Sequence, residues 1–374
     1  MIFYKLVIFS VFLMLSLATK GQLKIKNNTE NFELVLRLSP KANNPRNSEG
    51  AFITLKNGNI LFIYSHYIGK GSGDHDPAFL AGRTSTNGGK TWSNYDRVIL
   101  KNEGNMNIMS VSLLRLKNNA IAIFYLRKNS ESDCIPMMRI SKDEAETWSE
   151  PISCIPDKSG YFVLNNDRVI QLNSGRLLMA VALHKTSEND RWSDKAKLYS
   201  YYSDDNGKTW IAGSEVSTPK NIITQEPGVV ELRNGKILMF IRASGGKQYY
   251  SYSDDKGITW TSAVPSSINS PLSPASIKRI PSTGDLLLVW NNNDGSDHKI
   301  KGKRTPFHLA ISKDEGKTWQ HINSIAADPD GWYCYSAIHF YKNNVFIGYC
   351  AGKQSSKTHL SVTEITKIKF KSIY

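Results

Sequence analysis

The chain has 374 residues, 40% of them hydrophobic, which suffices for a sizeable core in one large domain or in two. Its formal net charge is +14 at pH 7, but the lysines are scattered and no dense Lys/Arg tract or nucleic-acid motif is present. The composition therefore argues against a nucleic-acid partner, while a basic surface favours an anionic substrate.

The first 21 residues have the features of a secretory signal. Lys5 supplies a positive charge, residues 6–17 form an apolar run, and residues 18–21 form a plausible cleavage region. The apolar run is short for a membrane span, and no later segment approaches the required length. We expect a mature chain of residues 22–374 that has no stable membrane span and is periplasmic or secreted.

The chain contains four cysteines: Cys134, Cys154, Cys334 and Cys350. In an exported protein they could form the disulfides Cys134–Cys154 and Cys334–Cys350. They could equally be small buried apolar residues, and the sequence leaves both alternatives open.

Six times along the chain, two apolar runs flank a short turn. The turns are residues 56–58, 117–119, 173–175, 233–235, 281–284 and 342–344. Asn-Gly and similar turns between β-rich runs indicate hairpins. Runs as apolar as residues 60–64 are typical of strands buried on both faces.

A second repeat is interleaved with the hairpins. Residues 203–210 read Ser-x-Asp-x-Gly-x-Thr-Trp, and copies begin at Ser85, Ser141, Ser253 and Ser312. The copies lie about 50–62 residues apart, which is the range of a four-stranded module. Asn87 replaces the Asp of the first copy and Ala145 the Gly of the second. The Asp or Asn can accept backbone N–H bonds in a turn, Gly supplies a positive φ, and Trp can pack between modules.

Together the two repeats predict an all-β fold, a six-bladed β-propeller with five such turns in a single domain. The last blade would take residues 358–365 as its third strand. Residues 32–38 would be its fourth strand and would close the ring from the N-terminus. No long helix is needed.

Positions relative to the hairpin turns predict which side chains meet. Glu226 precedes Gly235 by the same interval as Tyr335 precedes Asn344, and Arg46 stands slightly earlier before its own turn. Because the inner strands of a propeller surround a channel, we expect these side chains at one mouth of it.

The turns and the blade plan resemble the sialidase (neuraminidase) superfamily over nearly the whole mature chain. The turns by themselves indicate only the fold, since non-enzymes also carry them. The resemblance assigns an arginine triad, a nucleophile with its base, and an acid: Arg46, Arg242 and Arg304; Tyr335 with Glu226; and Asp74, with Asp76 as a nearby competitor. Arg46 departs from the family pattern, because Asn47-Ser48-Glu49 follows it where Ile-Pro is usual.

The resemblance implies a retaining exo-α-sialidase that acts through a tyrosyl-enzyme intermediate on sialylated glycans or other acidic glycoconjugates. Three guanidinium groups suit the sialic acid carboxylate. A neutral Tyr335, deprotonated by Glu226, avoids the repulsion that an anionic nucleophile would meet from that carboxylate. Asp74 would protonate the leaving oxygen. We expect no cofactor and no catalytic metal, since the eight histidines lack ligand spacing.

Two other functions stay open at this stage: a related enzyme for a different acidic ulosonic sugar, and a non-catalytic carbohydrate-binding propeller. Trans-sialylation would share the same intermediate. Residues 105–107 and 165–168 could contact substrate hydroxyl or acyl groups, or could simply be turns that precede strands.

Overall fold

The computed structural model describes residues 31–186 and 191–374, and these are folded almost wholly into β-strands. They contain no α-helix, and a 3₁₀ helix at Phe370–Ile373 follows the last strand. Within them, no helical segment combines the length and the apolar character that a membrane crossing requires. The all-β prediction is confirmed, whereas the predicted signal sequence lies outside the described residues.

Twenty-five strands follow one another in the described residues. They are β1 (Phe32–Leu38), β2 (Asn47–Thr54), β3 (Ile60–Tyr67), β4 (Ala78–Ser85), β5 (Arg97–Leu100), β6 (Asn107–Arg115), β7 (Ile121–Ser130), β8 (Asp133–Ser141), β9 (Ile152–Ser153), β10 (Gly160–Val163), β11 (Ile170–Gln171), β12 (Leu177–Thr186), β13 (Lys197–Ser203), β14 (Ile211–Ala212), β15 (Thr224–Glu231), β16 (Ile237–Ala243), β17 (Lys247–Ser253), β18 (Val264–Asn269), β19 (Ser276–Arg279), β20 (Leu286–Asn291), β21 (Phe307–Ser312), β22 (Gln320–Ala326), β23 (Gly331–Tyr341), β24 (Asn344–Lys353) and β25 (Thr363–Lys369).

Neighbouring strands in the sequence are mostly neighbours in a sheet. Four sheets have four strands each, in the orders β2-β3-β4-β5, β15-β16-β17-β18, β19-β20-β21-β22 and β1-β25-β24-β23. A nine-stranded sheet holds the remaining strands. It consists of two antiparallel meanders, β6 to β9 and β10 to β14, which meet at one parallel pair between Tyr161 and Cys134.

The N-terminal strand completes the sheet of the C-terminal strands. β1 pairs antiparallel with β25, from Phe32 opposite Ile368 to Leu38 opposite Thr363. The prediction for the partner strand was wrong in its bounds, since β25 begins at Thr363 rather than at residue 358. The chain first turns after β24, where the Ser361 amide donates to the Thr358 carbonyl oxygen at 2.6 Å.

The five repeat turns share one hydrogen-bond pattern. In the copy that begins at Ser203, the Gly207 amide donates to Ser203 Oγ at 2.8 Å and the Thr209 amide donates to Asp205 Oδ1 at 2.9 Å. The other four turns repeat both bonds. Ala145 takes φ +69°, so the copy without glycine keeps the positive φ that was expected of glycine.

All four cysteines are free and buried. They therefore act as small buried residues, which was one of the two alternatives. Cys334 and Cys350 lie directly opposite each other on β23 and β24.

Candidate active site

Four strands, each at the edge of its four-stranded sheet or meander, carry the same irregularity; they are called the first strands here. The pairing of β2, β6, β15 and β23 with the following strand is interrupted by a bulge. One residue of each bulge has a left-handed backbone: Glu49 (φ +52°), Ser110 (φ +64°), Glu226 (φ +42°) and Tyr335 (φ +54°). Bulges re-aim side chains, and all four of these residues line one cavity. A residue other than glycine keeps a left-handed backbone only where the surrounding structure holds it there, and such strained residues are common at functional sites.

The cavity has a volume of about 310 Å³ and collects most of the predicted residues. Its lining includes Asp74, Glu226, Arg242, Arg304 and Tyr335. Arg46 lies directly behind the lining, in contact with Asp74. A larger cavity, of about 460 Å³, is lined by none of the predicted residues.

Tyr335 and Glu226 form a hydrogen-bonded pair inside the cavity. Tyr335 Oη donates to Glu226 Oε1 at 3.0 Å, although 109 residues separate them in the sequence. Burial and the Glu226 carboxylate raise the pKa of Tyr335 well above its usual value, so the resting phenol is neutral. The pair thus has the geometry of a hydroxyl and the base that could accept its proton.

Two arginines surround this pair. Arg242 Nη1 lies 2.7 Å from Glu226 Oε2, and the Arg304 guanidinium lies 5.4 Å from the centre of the Tyr335 ring. Burial alone would raise the pKa of Glu226, but the charges of Arg242 and Arg304 outweigh burial and lower it. Glu226 is therefore ionised in the resting site and free to take a proton.

Asp74 is held by Arg46 at the other side of the cavity. Arg46 Nη1 donates to Asp74 Oδ1 at 2.6 Å, and the Lys128 ammonium donates to the backbone oxygen of Asp74 at 2.6 Å. The Asp74 side chain is 55% exposed but partly desolvated by the protein around it, which would raise its pKa, and the charges of Arg46 and Lys128 lower that pKa. In the resting site Asp74 is thus a carboxylate whose loop is fixed by two cations.

Several lining residues were not predicted, among them Glu49, Lys128, Tyr161, His184 and Trp192. The sequence held a signal for one of them. Glu49 precedes Gly58 by the same interval as Glu226 precedes Gly235, so the counting that found Glu226 applies to Glu49 as well. Lys128 has no comparable signal, because it follows a continuous apolar run on β7 and stands at no fixed interval from a repeat turn.

Asp76 does not line the cavity. Its carboxylate accepts a hydrogen bond from the Gly73 amide at 2.6 Å, so it shapes the loop that carries Asp74. Asn107 Nδ2 fastens the same loop through the backbone oxygens of Asp74 and Asp76, at 2.9 and 2.8 Å. Of the two candidate acids, Asp74 alone faces the cavity.

Three of the four polar residues at 165–168 divide into two groups. Asn165 lines the cavity. Asn166 Nδ2 donates to the backbone oxygens of Gly50 and Tyr335, and Asp167 pairs with Lys278 at 2.9 Å. Asn166 and Asp167 therefore connect first strands to one another. Across residues 31–186 and 191–374, no group of three or more His, Cys, Asp or Glu side chains could hold a metal ion.

Comparison with known proteins identifies the family. A model of the BNR repeat-like domain matches residues 81–347. The chain belongs to the sialidase/BNR-repeat superfamily. This confirms the resemblance that the repeat turns indicated.

Two sialidases are similar in sequence over part of the chain. The sialidase of Paraclostridium sordellii is 27% identical over 224 residues, which are 52% of this chain and 52% of that protein. The sialidase of Clostridium perfringens is 29% identical over 218 residues, 51% of this chain and 54% of that protein. The chain thus matches about half the length of these relatives.

Solved structures share the fold over most of the chain. The Hadza microbial sialidase Hz136 gives a TM-score of 0.71 at 19% identity and covers 89% of this chain and 67% of its own. The NanB sialidase of Streptococcus pneumoniae gives 0.70 at 16% identity, with 92% and 71% covered. A Dyadobacter fermentans protein of unknown function gives 0.70 at 19%, with 91% and 99% covered. At these identities the likeness concerns the fold.

Proposed function

We propose that this protein is a retaining exo-α-sialidase, a glycoside hydrolase that removes terminal sialic acids from glycoconjugates. The observation that carries the proposal is the hydrogen bond of 3.0 Å from Tyr335 Oη to Glu226 Oε1, in one cavity with Arg242 and Arg304. A carbohydrate-binding protein has no need of a phenol placed on a base beneath two guanidinium groups. We also propose that the four four-stranded sheets and the two meanders of the nine-stranded sheet form the six blades of a propeller around this cavity.

In the first half of the reaction, Tyr335 Oη attacks the anomeric carbon and its proton passes to Glu226. The bond from the anomeric carbon to the leaving oxygen breaks, and Asp74 gives that oxygen a proton. In the second half, Asp74 takes a proton from water, the water oxygen attacks the anomeric carbon, and the bond to Tyr335 breaks as Glu226 returns the proton. Two displacements on one carbon give retention.

The charges of the resting site explain how Asp74 could become an acid. Arg46 and Lys128 keep the pKa of Asp74 low in the empty cavity. A substrate carboxylate that binds beside the arginines adds negative charge close to Asp74. Because a nearby like charge favours the protonated form of a carboxyl group, substrate binding raises the pKa of Asp74 toward the range that an acid requires.

The test is hydrolysis of an aryl α-sialoside by residues 22–374, beside Tyr335→Phe and Asp74→Ala. Tyr199→Phe is the matched control, since Tyr199 Oη donates to Glu215 Oε2 at 2.8 Å outside the cavity. We expect activity in the parent and the control and its collapse in Tyr335→Phe. Asp74→Ala should keep activity on the aryl substrate, whose leaving group needs little acid help, and lose it on a natural sialoside.

Other outcomes assign other functions. A parent that binds sialic acid without cleaving it would be a carbohydrate-binding protein. A parent that does neither, but cleaves another acidic ulosonic sugar, would support the second candidate, which the departure of residues 47–49 from the pattern that usually follows the first arginine favours.

We further propose that residues 1–21 direct export and are removed, leaving residues 22–374 as one domain in the periplasm or outside the cell. The charge and apolar run of these residues support this. Mass spectrometry of the protein recovered from the periplasm and the medium would test it, and a retained N-terminus would contradict it.

A further inference from the structure

Glu49 is a buried carboxylate that stands three residues after Arg46. It follows Arg46 on β2, is 6% exposed and lines the cavity together with Tyr335 and Glu226. Its left-handed backbone, φ +52°, is the one that the bulge imposes on those two residues in their own strands. The fold therefore aims Glu49 into the site as it aims the proposed nucleophile and base.

Glu49 pairs with one of the guanidinium nitrogens of Arg46. Glu49 Oε2 lies 3.2 Å from Arg46 Nη2 and accepts a second hydrogen bond, of 2.9 Å, from Ser48 Oγ. Arg46 donates three other hydrogen bonds: Nε to Ser48 Oγ at 2.9 Å, and Nη1 to the Ser72 carbonyl oxygen at 3.2 Å and to Asp74 Oδ1 at 2.6 Å. An arginine has five N–H donors, so these four bonds leave Arg46 little with which to bind a ligand carboxylate.

The other two arginines are open by comparison. Nε of Arg242 and Nη1 of Arg304 are buried and make no hydrogen bond within the described part of the chain. Arg304 is 8% exposed. Buried donors without a partner are costly, and a ligand carboxylate would satisfy them. The three arginines of the predicted triad are thus unequal. Arg242, although it pairs with Glu226, and Arg304 each keep a buried donor without a partner, whereas Glu49 and Asp74 both bind Arg46.

We propose that Glu49 is a specificity-determining residue which competes with the substrate carboxylate for Arg46. This rests on the proposed function, since it concerns the acidic sugar that the cavity would bind. While Glu49 is ionised, Arg242 and Arg304 bind the ligand carboxylate, and Arg46 donates its hydrogen bonds to Glu49 and Asp74. When Glu49 is neutral, Arg46 Nη2 is released to the ligand.

The competition depends on pH. Burial raises the pKa of Glu49, Arg46 opposes this, and the Asp74 charge adds to it. The charged and titratable groups that face Glu49 are Arg46, Tyr67, Asp74, Lys128, Tyr161 and Cys350. Below its pKa, Glu49 carries a proton and no longer repels an anion. Affinity for carboxylates should therefore be highest at low pH and fall as pH rises through the pKa of Glu49.

The test uses acetate as a bare carboxylate and acetamide as its neutral counterpart, with binding followed by NMR line broadening. Glu49→Gln should bind acetate about tenfold more tightly than the parent near neutral pH, since a charge repulsion and a competing charged hydrogen bond are both removed. The affinity for acetamide should not change. As pH is lowered through the pKa of Glu49, the difference between parent and variant should shrink, because the parent then protonates Glu49.

The matched control is Glu146→Gln. Glu146 also pairs with an arginine, Arg97 at 2.9 Å, but does not line the cavity. It should leave acetate binding as in the parent. A purely structural role of Glu49 would change the affinities for acetate and acetamide together, whereas competition changes the affinity for acetate alone.

The same comparison with N-acetylneuraminic acid and its methyl ester extends the test to the sugar. With a sialoside as substrate, Glu49→Gln should lower KM and leave kcat unchanged. Equal acetate affinity and equal pH dependence in parent and Glu49→Gln would overturn the inference, whether or not sialosides are cleaved. A parent whose acetate affinity does not vary with pH would overturn it without any variant. Failure to cleave sialosides, with the acetate result as expected, would overturn only the proposed function.

Discussion

Tyr335 and Glu226 occupy the same bulge position on the first strands of two different sheets, and the Tyr335 hydroxyl donates to the Glu226 carboxylate at 3.0 Å. Neither strand could place its side chain there with regular pairing, because successive residues of a regular strand point to opposite faces. The bulge adds a residue and turns the side chain toward the cavity. One local device, repeated in separate sheets, brings together the proposed nucleophile and its proposed base.

Replacing Glu226 by Gln should abolish most of the activity. Glutamine keeps the shape and a hydrogen bond to Tyr335 but cannot accept its proton, so kcat should fall about 10²–10⁴-fold. Kinetics on an aryl α-sialoside would measure this. Glu215→Gln, which alters the Tyr199–Glu215 pair outside the cavity, should keep the parental kcat. An unchanged kcat in Glu226→Gln would remove Glu226 from the mechanism.

Replacing Lys128 by Met should move the pH dependence of the reaction. The Lys128 charge lowers the pKa of Asp74, so its removal raises that pKa. Asp74 must be protonated to act as an acid, and the alkaline limb of the rate should therefore shift to higher pH. The variant also removes one of the two donors to the Asp74 carbonyl oxygen and leaves only Asn107 Nδ2, which should lower kcat/KM at all pH values.

The measurement for Lys128→Met is kcat/KM on a natural sialoside as a function of pH. Lys195→Met is its control, because Lys195 also donates to backbone oxygens, those of Pro219 and Lys220, but does not line the cavity. An alkaline limb that stays in place in Lys128→Met would show that Lys128 does not control the protonation of Asp74.

The sequence predicts those parts of the fold that depend on residues close to one another in the chain. Turn chemistry and strand alternation need only neighbouring residues, and they suffice for the hairpins and the repeat turns. Tyr335 and Glu226 were accessible because their bulges lie at a fixed interval from a recognisable turn. The late start of β25 was missed because it depends on a turn held by backbone bonds, which side-chain patterns do not reveal.

The contacts that tune the site could not be predicted in the same way. Lys128 meets the Asp74 loop across 54 residues, and Asn166 meets Tyr335 across 169. Such contacts depend on how separate sheets face each other. Glu49 stands at the informative interval, but the sequence alone shows it only as part of a departure from a family pattern. Its partner Arg46 and its burial became visible only in the folded chain.

The repeat turns should make the protein sensitive to acid. Burial alone would raise the pKa of Asp205, but hydrogen bonds from Thr209 and Ser203 lower it to about 2. Asp143 and Asp255 are likewise lowered to about 2. An unfolded aspartate titrates near 3.9, so these groups stabilise the fold above about pH 4 and lose that contribution as pH falls toward 2.

Asp205→Asn tests this contribution by urea unfolding at about pH 7 and about pH 3. Asn87 holds the corresponding position of the first turn and accepts the same amide bonds, so asparagine fits the turn. The variant should be less stable than the parent at neutral pH, and the difference should narrow in acid. A difference that does not vary with pH would mean that Asp205 keeps its ordinary pKa in the fold.

Alanine substitutions at Gly89 and Gly235 distinguish the cost of a left-handed backbone from the cost of a steric clash. Both have positive φ, +79° and +81°. A Cβ on Gly235 would meet nothing within 4 Å, whereas a Cβ on Gly89 would lie 2.2 Å from ring carbons of Phe346, which is fully buried. Gly235→Ala should therefore cost about 1–2 kcal/mol for the left-handed backbone alone, and Gly89→Ala about 1–3 kcal/mol more for the clash.

Urea unfolding of the two variants beside the parent gives both free energies. Because the rigid Phe346 ring packs between two sheets, Gly89→Ala must displace one sheet edge from the other, and its loss should be the larger of the two. Equal losses would mean that the ring moves aside freely, so that the contact of the first repeat turn with β24 contributes little to holding those sheets together.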